Sequence, residues 1–217
     1  MKSSKITSDD VELFTWFSKP KTNKSTLIYL QGNSFDIGER TYRIKRYTNE
    51  GWGVLLFSWR GYSGNKVYPN ENNLYKDAES VLGWIEDNTD LQKSDLIVYW
   101  ESLGTGIAVE IGTRYLFKSI VLEAPFTSIA DIAQKKYIIY SAKFFVLDKF
   151  DNFKKITKVF SPLLIISEMK DEVIPHSHSV KLFSKANHPK EFLFIGEAMH
   201  NNLYDFDIDK KVIKFNS

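Results

Sequence analysis

Short runs of β-branched and aromatic residues alternate along the chain with stretches in which apolar positions recur every three or four residues. The runs are Val11 to Phe17, Thr26 to Leu30, Val54 to Phe57, Leu96 to Tyr99, Ser119 to Leu122, Leu163 to Ile166 and Glu191 to Ile195, and they read as strands. Between them the helical spacing is clearest at Leu74, Ala78, Val81, Leu82 and Ile85, one face of a helix that Asn70, Asn72 or Asn73 can cap. Strand then helix, repeated, predicts an α/β fold, a mostly parallel sheet covered by helices on both faces, in a single domain over residues 1–217. The segment before Val11 is polar, so a leading strand of the sheet is expected to be missing or truncated.

One stretch breaks the alternation. From Phe126 to Phe160 no strand pattern recurs, while Tyr137, Ile138, Ile139, Tyr140, Phe144, Phe145, Val146 and Leu147 gather apolar surface. Long excursions of this kind are either extra packing helices or small lids over a pocket, and both readings stay open.

The strand at Leu96 runs into Trp100-Glu101-Ser102-Leu103-Gly104-Thr105-Gly106-Ile107-Ala108, where small residues open a helix. A strand, a sharp turn and a helix expose the Ser102 hydroxyl above the sheet and aim the Leu103 N–H at a developing oxyanion. A serine that merely caps a helix is the alternative. Gly104, Gly106 and Ala108 are expected to let helix and strand approach closely.

Two later strands carry the partners. Ser167-Glu168-Met169-Lys170-Asp171 follows Leu163 to Ile166, and Gly196-Glu197-Ala198-Met199-His200 follows Glu191 to Ile195, so Asp171 and His200 are expected at the same sheet edge as Ser102. The order Ser, Asp, His is that of an α/β-hydrolase triad, in which the imidazole moves the serine proton and the carboxylate orients the imidazole. Glu168 and Glu172 compete for the acid role and otherwise read as surface salt bridges. His176, His178 and His188 read as solvated surface, and a metal pair at His176 and His178 lacks a third ligand. After Thr26 to Leu30, Gln31 to Arg40 is a glycine-containing turn into a helix, where the Asn33 N–H would be the second oxyanion donor. Ser34, Phe35, Trp100, Phe126 and Ile174 are the residues expected to line the substrate pocket.

Taken with Trp59-Arg60-Gly61-Tyr62-Ser63-Gly64, Asn73 to Ala78, Ala124-Pro125-Phe126-Thr127-Ser128, Lys170 to Pro175 and Gly196 to Asn201, these motifs make the chain resemble the Bem46-type α/β-hydrolases from Thr7 onward. That group includes protein depalmitoylases and the α/β-hydrolase domain-containing proteins of types 13 and 17. The resemblance implies a minimal cap, hydrolysis of an ester or thioester and no cofactor. It also implies the triad at Ser102, Asp171 and His200, with oxyanion donors at Asn33 and Leu103. Trp100 departs from it, standing where the family has a small residue, and predicts a remodelled turn or a partly filled pocket. Gln31 replaces a histidine, and Ser167-Glu168 replaces a pair ending in glycine.

Composition narrows the alternatives. A formal net charge of +2, with basic and acidic residues interspersed, gives nucleic acid no footprint. The absence of cysteine removes disulfides, thiolate metal sites and a cysteine nucleophile. No run approaches a membrane span, so a soluble, cytoplasmic protein is expected. Lys135, Lys136, Lys143 and Lys149 among aromatic residues give the excursion a membrane-surface reading, with a packing helix as the favoured alternative. The expected substrate is a small or acylated ester or thioester. A non-catalytic binding protein on the same fold, motivated by Trp100 and Gln31, is the competing reading.

Overall fold

Every strand expected from Thr26 onward forms, and all lie in one sheet. The computed structural model describes residues 2–30, 37–62, 67–136 and 147–217, with only the backbone at 37, 39 and 134–136. Its strands are β1 (Lys2–Ser8), β2 (Val11–Ser18), β3 (Thr26–Leu30), β4 (Gly53–Phe57), β5 (Leu96–Glu101), β6 (Ser119–Glu123), β7 (Leu163–Glu168) and β8 (Lys190–Ile195). Among the described residues they join in the order β1-β2-β4-β3-β5-β6-β7-β8. β1 and β2 are antiparallel to their neighbours, and the other pairings are parallel.

β1 corrects the expectation of a missing leading strand. Of its residues only Ile6 and Ser8 are buried, with Ile6 opposite Leu13, while Lys2, Ser3 and Lys5 face solvent. A half-exposed edge strand built of lysine and serine has no apolar run to announce it.

Among the described residues the helices are α1 (Thr41–Asn49), α2 (Glu71–Asn88), α3 (Gly104–Gly112), α4 (Ile129–Lys136), α5 (Asn152–Lys155), α6 (Ser177–Lys185) and α7 (Ile208–Phe215). Asn70 caps α2, its side chain accepting the Asn73 N–H at 2.9 Å, worth about 1 kcal/mol. Strand side chains alternate between two cores. Leu96, Val98 and Trp100 of β5 join Leu74, Val81 and Leu82 of α2 and Ile107 of α3, whereas Ile97 and Tyr99 join Ile44 and Tyr47 of α1 and Ile208 and Val212 of α7. Burial on both faces explains why the parallel strands read as unbroken apolar runs.

The connection after β3 leads to β4 on one side, and the chain later returns to β5 on the other. This reversal opens a crevice beyond the carboxyl ends of β3 and β5. Residues 137–146 of the excursion lie outside the described residues, and with them Tyr137 to Val146 and Lys143. Its described parts are α4, α5 and their flanks. Among the described residues no helix is long and apolar enough to cross a membrane.

Candidate active site

Ser102 occupies the turn between β5 and α3 with φ of +51°. This left-handed region costs a non-glycine residue about 1–3 kcal/mol and persists only where its surroundings hold it. Here the Ser102 N–H donates to the Glu123 carbonyl at 2.9 Å, and the Ser102 carbonyl accepts the Thr105 N–H at 3.0 Å and Thr105 Oγ1 at 2.7 Å. The serine is left half-buried at the carboxyl edge of the sheet. Leu103 stands at the start of α3, where the first N–H groups of a helix lack intrahelical partners and point outward.

Trp100 is a core residue. Strand alternation sends its indole into the core, 1% exposed, edge-on to Trp59 at 5.7 Å and to Phe57 at 6.5 Å. Its Nε1 is buried without a hydrogen-bond partner. The expected role of Gly106 is corrected too: a Cβ there would lie 2.6 Å from Phe150 Cδ1, so this glycine seats the Phe150 ring rather than a strand.

Asp171 follows β7 in a loop that fixes its carboxylate. Oδ1 accepts the N–H groups of Val173 at 2.7 Å and Ile174 at 2.8 Å, and Oδ2 lies 2.7 Å from His200 Nδ1. A carboxylate only accepts, so Nδ1 carries the proton and Nε2 is the nitrogen left for chemistry. Burial works against charging the ring. The Asp171 hydrogen bond and charge, with Glu123 and Glu101, outweigh it and raise the His200 pKa above its ordinary value. Among the described residues Ser102 Oγ and the His200 ring are not hydrogen-bonded to each other.

Of the other histidines His188 is exposed as expected and His176 is half-buried, whereas His178 departs from expectation. His178 is 5% exposed, not solvated, with Nδ1 against Thr127 Oγ1 at 2.8 Å. His176 Nδ1 lies 3.0 Å from Ser167 Oγ. Among the described residues no three or more His, Cys, Asp or Glu side chains gather as a metal site would need.

Beneath the Ser102 turn lies a charge cluster that sequence reasoning missed. β5, β6 and β7 each end in a buried glutamate: Glu101, Glu123 and Glu168. Arg43 of α1, fully buried, donates through Nη1 to Glu101 Oε2 at 3.2 Å and to Glu123 Oε1 at 2.9 Å. Arg40 Nε donates to Glu101 Oε1 at 2.8 Å, Tyr29 Oη to the same atom at 3.0 Å, and Tyr99 Oη to Glu123 Oε2. Burial raises the Glu123 pKa despite Arg43. Glu168, expected as an acid candidate or a surface salt bridge, is instead 1% exposed with neither carboxyl oxygen hydrogen-bonded. Burial, then Glu123 and Asp171, push its pKa up to about 9, so it is neutral at pH 7. Glu172 is exposed. The readable signal was the repeated ending, LIVYWE, SIVLE and LLIISE.

Asn33, Ser34, Phe35 and Gln31 lie outside the described residues. Phe126 and Ile174, expected to line a pocket, are core residues at 0% and 4% exposure, as Trp100 is. A cavity of about 360 Å³ opens instead beside Leu103, walled by Tyr62, Pro69, Leu74, Ile129 and Phe150, with Asp148 at its rim.

No family model matches the chain. An uncharacterized protein of Mycobacterium tuberculosis is 28% identical over 198 residues, covering 90% of this chain and 70% of that protein. Human alpha/beta hydrolase domain-containing protein 17B is 31% identical over 181 residues, covering 83% of this chain and 62% of its own length. An esterase from Pyrococcus furiosus superposes with a TM-score of 0.80 over 99% of this chain and 90% of the esterase, at 20% identity. The chain has the α/β-hydrolase fold. The names of the relatives are consistent with the Bem46-type likeness in the motifs. In this fold, Ser102, Asp171 and His200 follow β5, β7 and β8, all at the carboxyl edge of the parallel strands.

Proposed function

We propose that the chain is a serine hydrolase that cleaves a carboxylic ester or thioester through an acyl-enzyme. The observation that carries the reading is the Asp171–His200 pair at 2.7 Å, on the sheet edge where Ser102 stands at φ +51°. Ser102 Oγ would attack the carbonyl carbon while His200 Nε2 takes its proton. The tetrahedral oxyanion would face the Leu103 N–H and the Asn33 N–H. Collapse breaks the bond to the alcohol or thiol, which leaves with the proton from His200, and water then repeats the sequence to release the acid. No cofactor enters this chemistry.

The open Ser102–His200 contact is compatible with it, because catalytic hydrogen bonds in ligand-free enzymes are often long and tighten with substrate bound. The apolar cavity beside Leu103 supports an apolar acyl group. Trp100 offers the non-catalytic reading little support, since its indole is absorbed by the core.

Purified protein is expected to release p-nitrophenol from acyl esters, and Ser102→Ala to reduce the rate to background. Equal rates in the two proteins would contradict the proposal.

A further inference from the structure

Glu123 ties the buried charges to the nucleophile turn. Its backbone carbonyl accepts the Ser102 N–H, its side chain accepts Arg43 Nη1, and it pairs in register with Glu101, the residue before Ser102. Arg43 bridges the two side chains and stacks over the Tyr204 ring at 4.4 Å, in the chain segment just after His200. Left alone, two carboxylates at adjacent strand ends would push apart inside the protein. The guanidinium draws them together and thereby fixes the two strand ends from which the Ser102 turn departs.

Resting on the hydrolase reading above, we propose that Arg43 and Glu123 are positioning residues of the centre. Arg43, held between the Glu101 and Glu123 carboxylates, clamps the ends of β5 and β6 so that Ser102 is presented to substrate. The cluster at the clamp holds Glu101 of β5, Glu123 of β6 and Glu168 at the end of β7, with Arg43 within α1 and Arg40 just before it. Glu168 is the neutral member, so two glutamates face two arginines.

Two substitutions test the clamp. Arg43→Lys keeps the charge but loses the planar group whose Nη1 reaches both carboxylates while its face lies over the Tyr204 ring. Glu123→Gln keeps the shape and removes the charge. Rates of fluorophosphonate labelling at Ser102 are measured against pH for wild type and both variants, with circular dichroism to verify folding. Arg43→Lys is expected to label about 10-fold more slowly at an unmoved acid limb. Glu123→Gln is expected to label more slowly by a similar factor, because Arg43 then joins one carboxylate where it joined two. Wild-type labelling by folded Arg43→Lys or by folded Glu123→Gln overturns the proposal. If Arg43→Lys does not fold, the labelling rate of Glu123→Gln decides. If wild type does not label at all, the hydrolase reading has failed. Amide exchange of the Ser102 N–H, which the Glu123 carbonyl accepts, then decides the clamp: faster exchange in folded Arg43→Lys than in wild type supports it and an equal rate overturns it.

Discussion

His200 Nδ1 and Asp171 Oδ2 are 2.7 Å apart, and the other oxygen of Asp171 is held by two backbone N–H groups. Both oxygens of the carboxylate are thus engaged, and the imidazole is held in the tautomer that leaves Nε2 without a proton. Asp171→Asn is expected to preserve the fold, verified by circular dichroism, while lowering kcat by about 10³–10⁴, the scale seen when a triad loses its tautomer-setting carboxylate. A variant within 10-fold of wild type would show that Asp171 does not orient the base.

The raised pKa of His200 sets the direction of the pH profile. Burial alone would lower it, and the Asp171, Glu123 and Glu101 carboxylates overcome burial. A general base must be neutral, so activity is lost as pH falls through this pKa and gained as pH rises through it. The midpoint of the acid limb of kcat/KM is expected above pH ~6.5, the ordinary histidine value. A midpoint below it would mean that burial dominates the site.

Glu168 makes a stability prediction of the opposite kind. Its folded pKa of about 9 stands above the unfolded value near 4.5. Between those values the unfolded chain is ionised and the folded one is not, so stability falls as pH rises through the window. Glu168→Gln removes that penalty. Its melting temperature at pH 8 is expected to exceed that of wild type by a few degrees, with the difference shrinking toward pH 5. An equal or lower melting temperature at pH 8 would contradict the assignment of Glu168 as a neutral buried acid.

Gly106 is packed against Phe150 with no room for a methyl group. Gly106→Val is expected to destabilise by about 1–3 kcal/mol through overpacking, read from urea unfolding. Because Phe150 also walls the cavity beside Leu103, KM for longer acyl esters should rise more than KM for acetyl esters. Equal changes in both would separate the cavity from substrate binding.

The strands from β3 onward were legible because burial on both faces demands unbroken apolar runs, and the ends of those strands carry Ser102, Asp171 and His200 in readable order. β1 was not, since an edge strand exposed on one face needs only Ile6 and Ser8 inside. Trp100 misled because its size suggested obstruction at the turn. The period of two along β5 sends it away from Ser102's surroundings into the core shared by Trp59 and Phe57, and the same alternation sends Glu101 toward Arg43. Partners such as Arg43 and Glu123, 80 positions apart, carry no local pattern that links them. Only the glutamate ending of three successive parallel strands hinted at a shared buried site.

The central claim is that the Ser102 hydroxyl is the nucleophile and His200 its base. Mass spectrometry after treatment with a fluorophosphonate tests it most directly, comparing wild type with His200→Ala. The account predicts a single phosphonyl adduct on Ser102 in wild type and labelling slowed by about 10³ or more in His200→Ala. An adduct on another residue, or equal labelling in the two proteins, would contradict it.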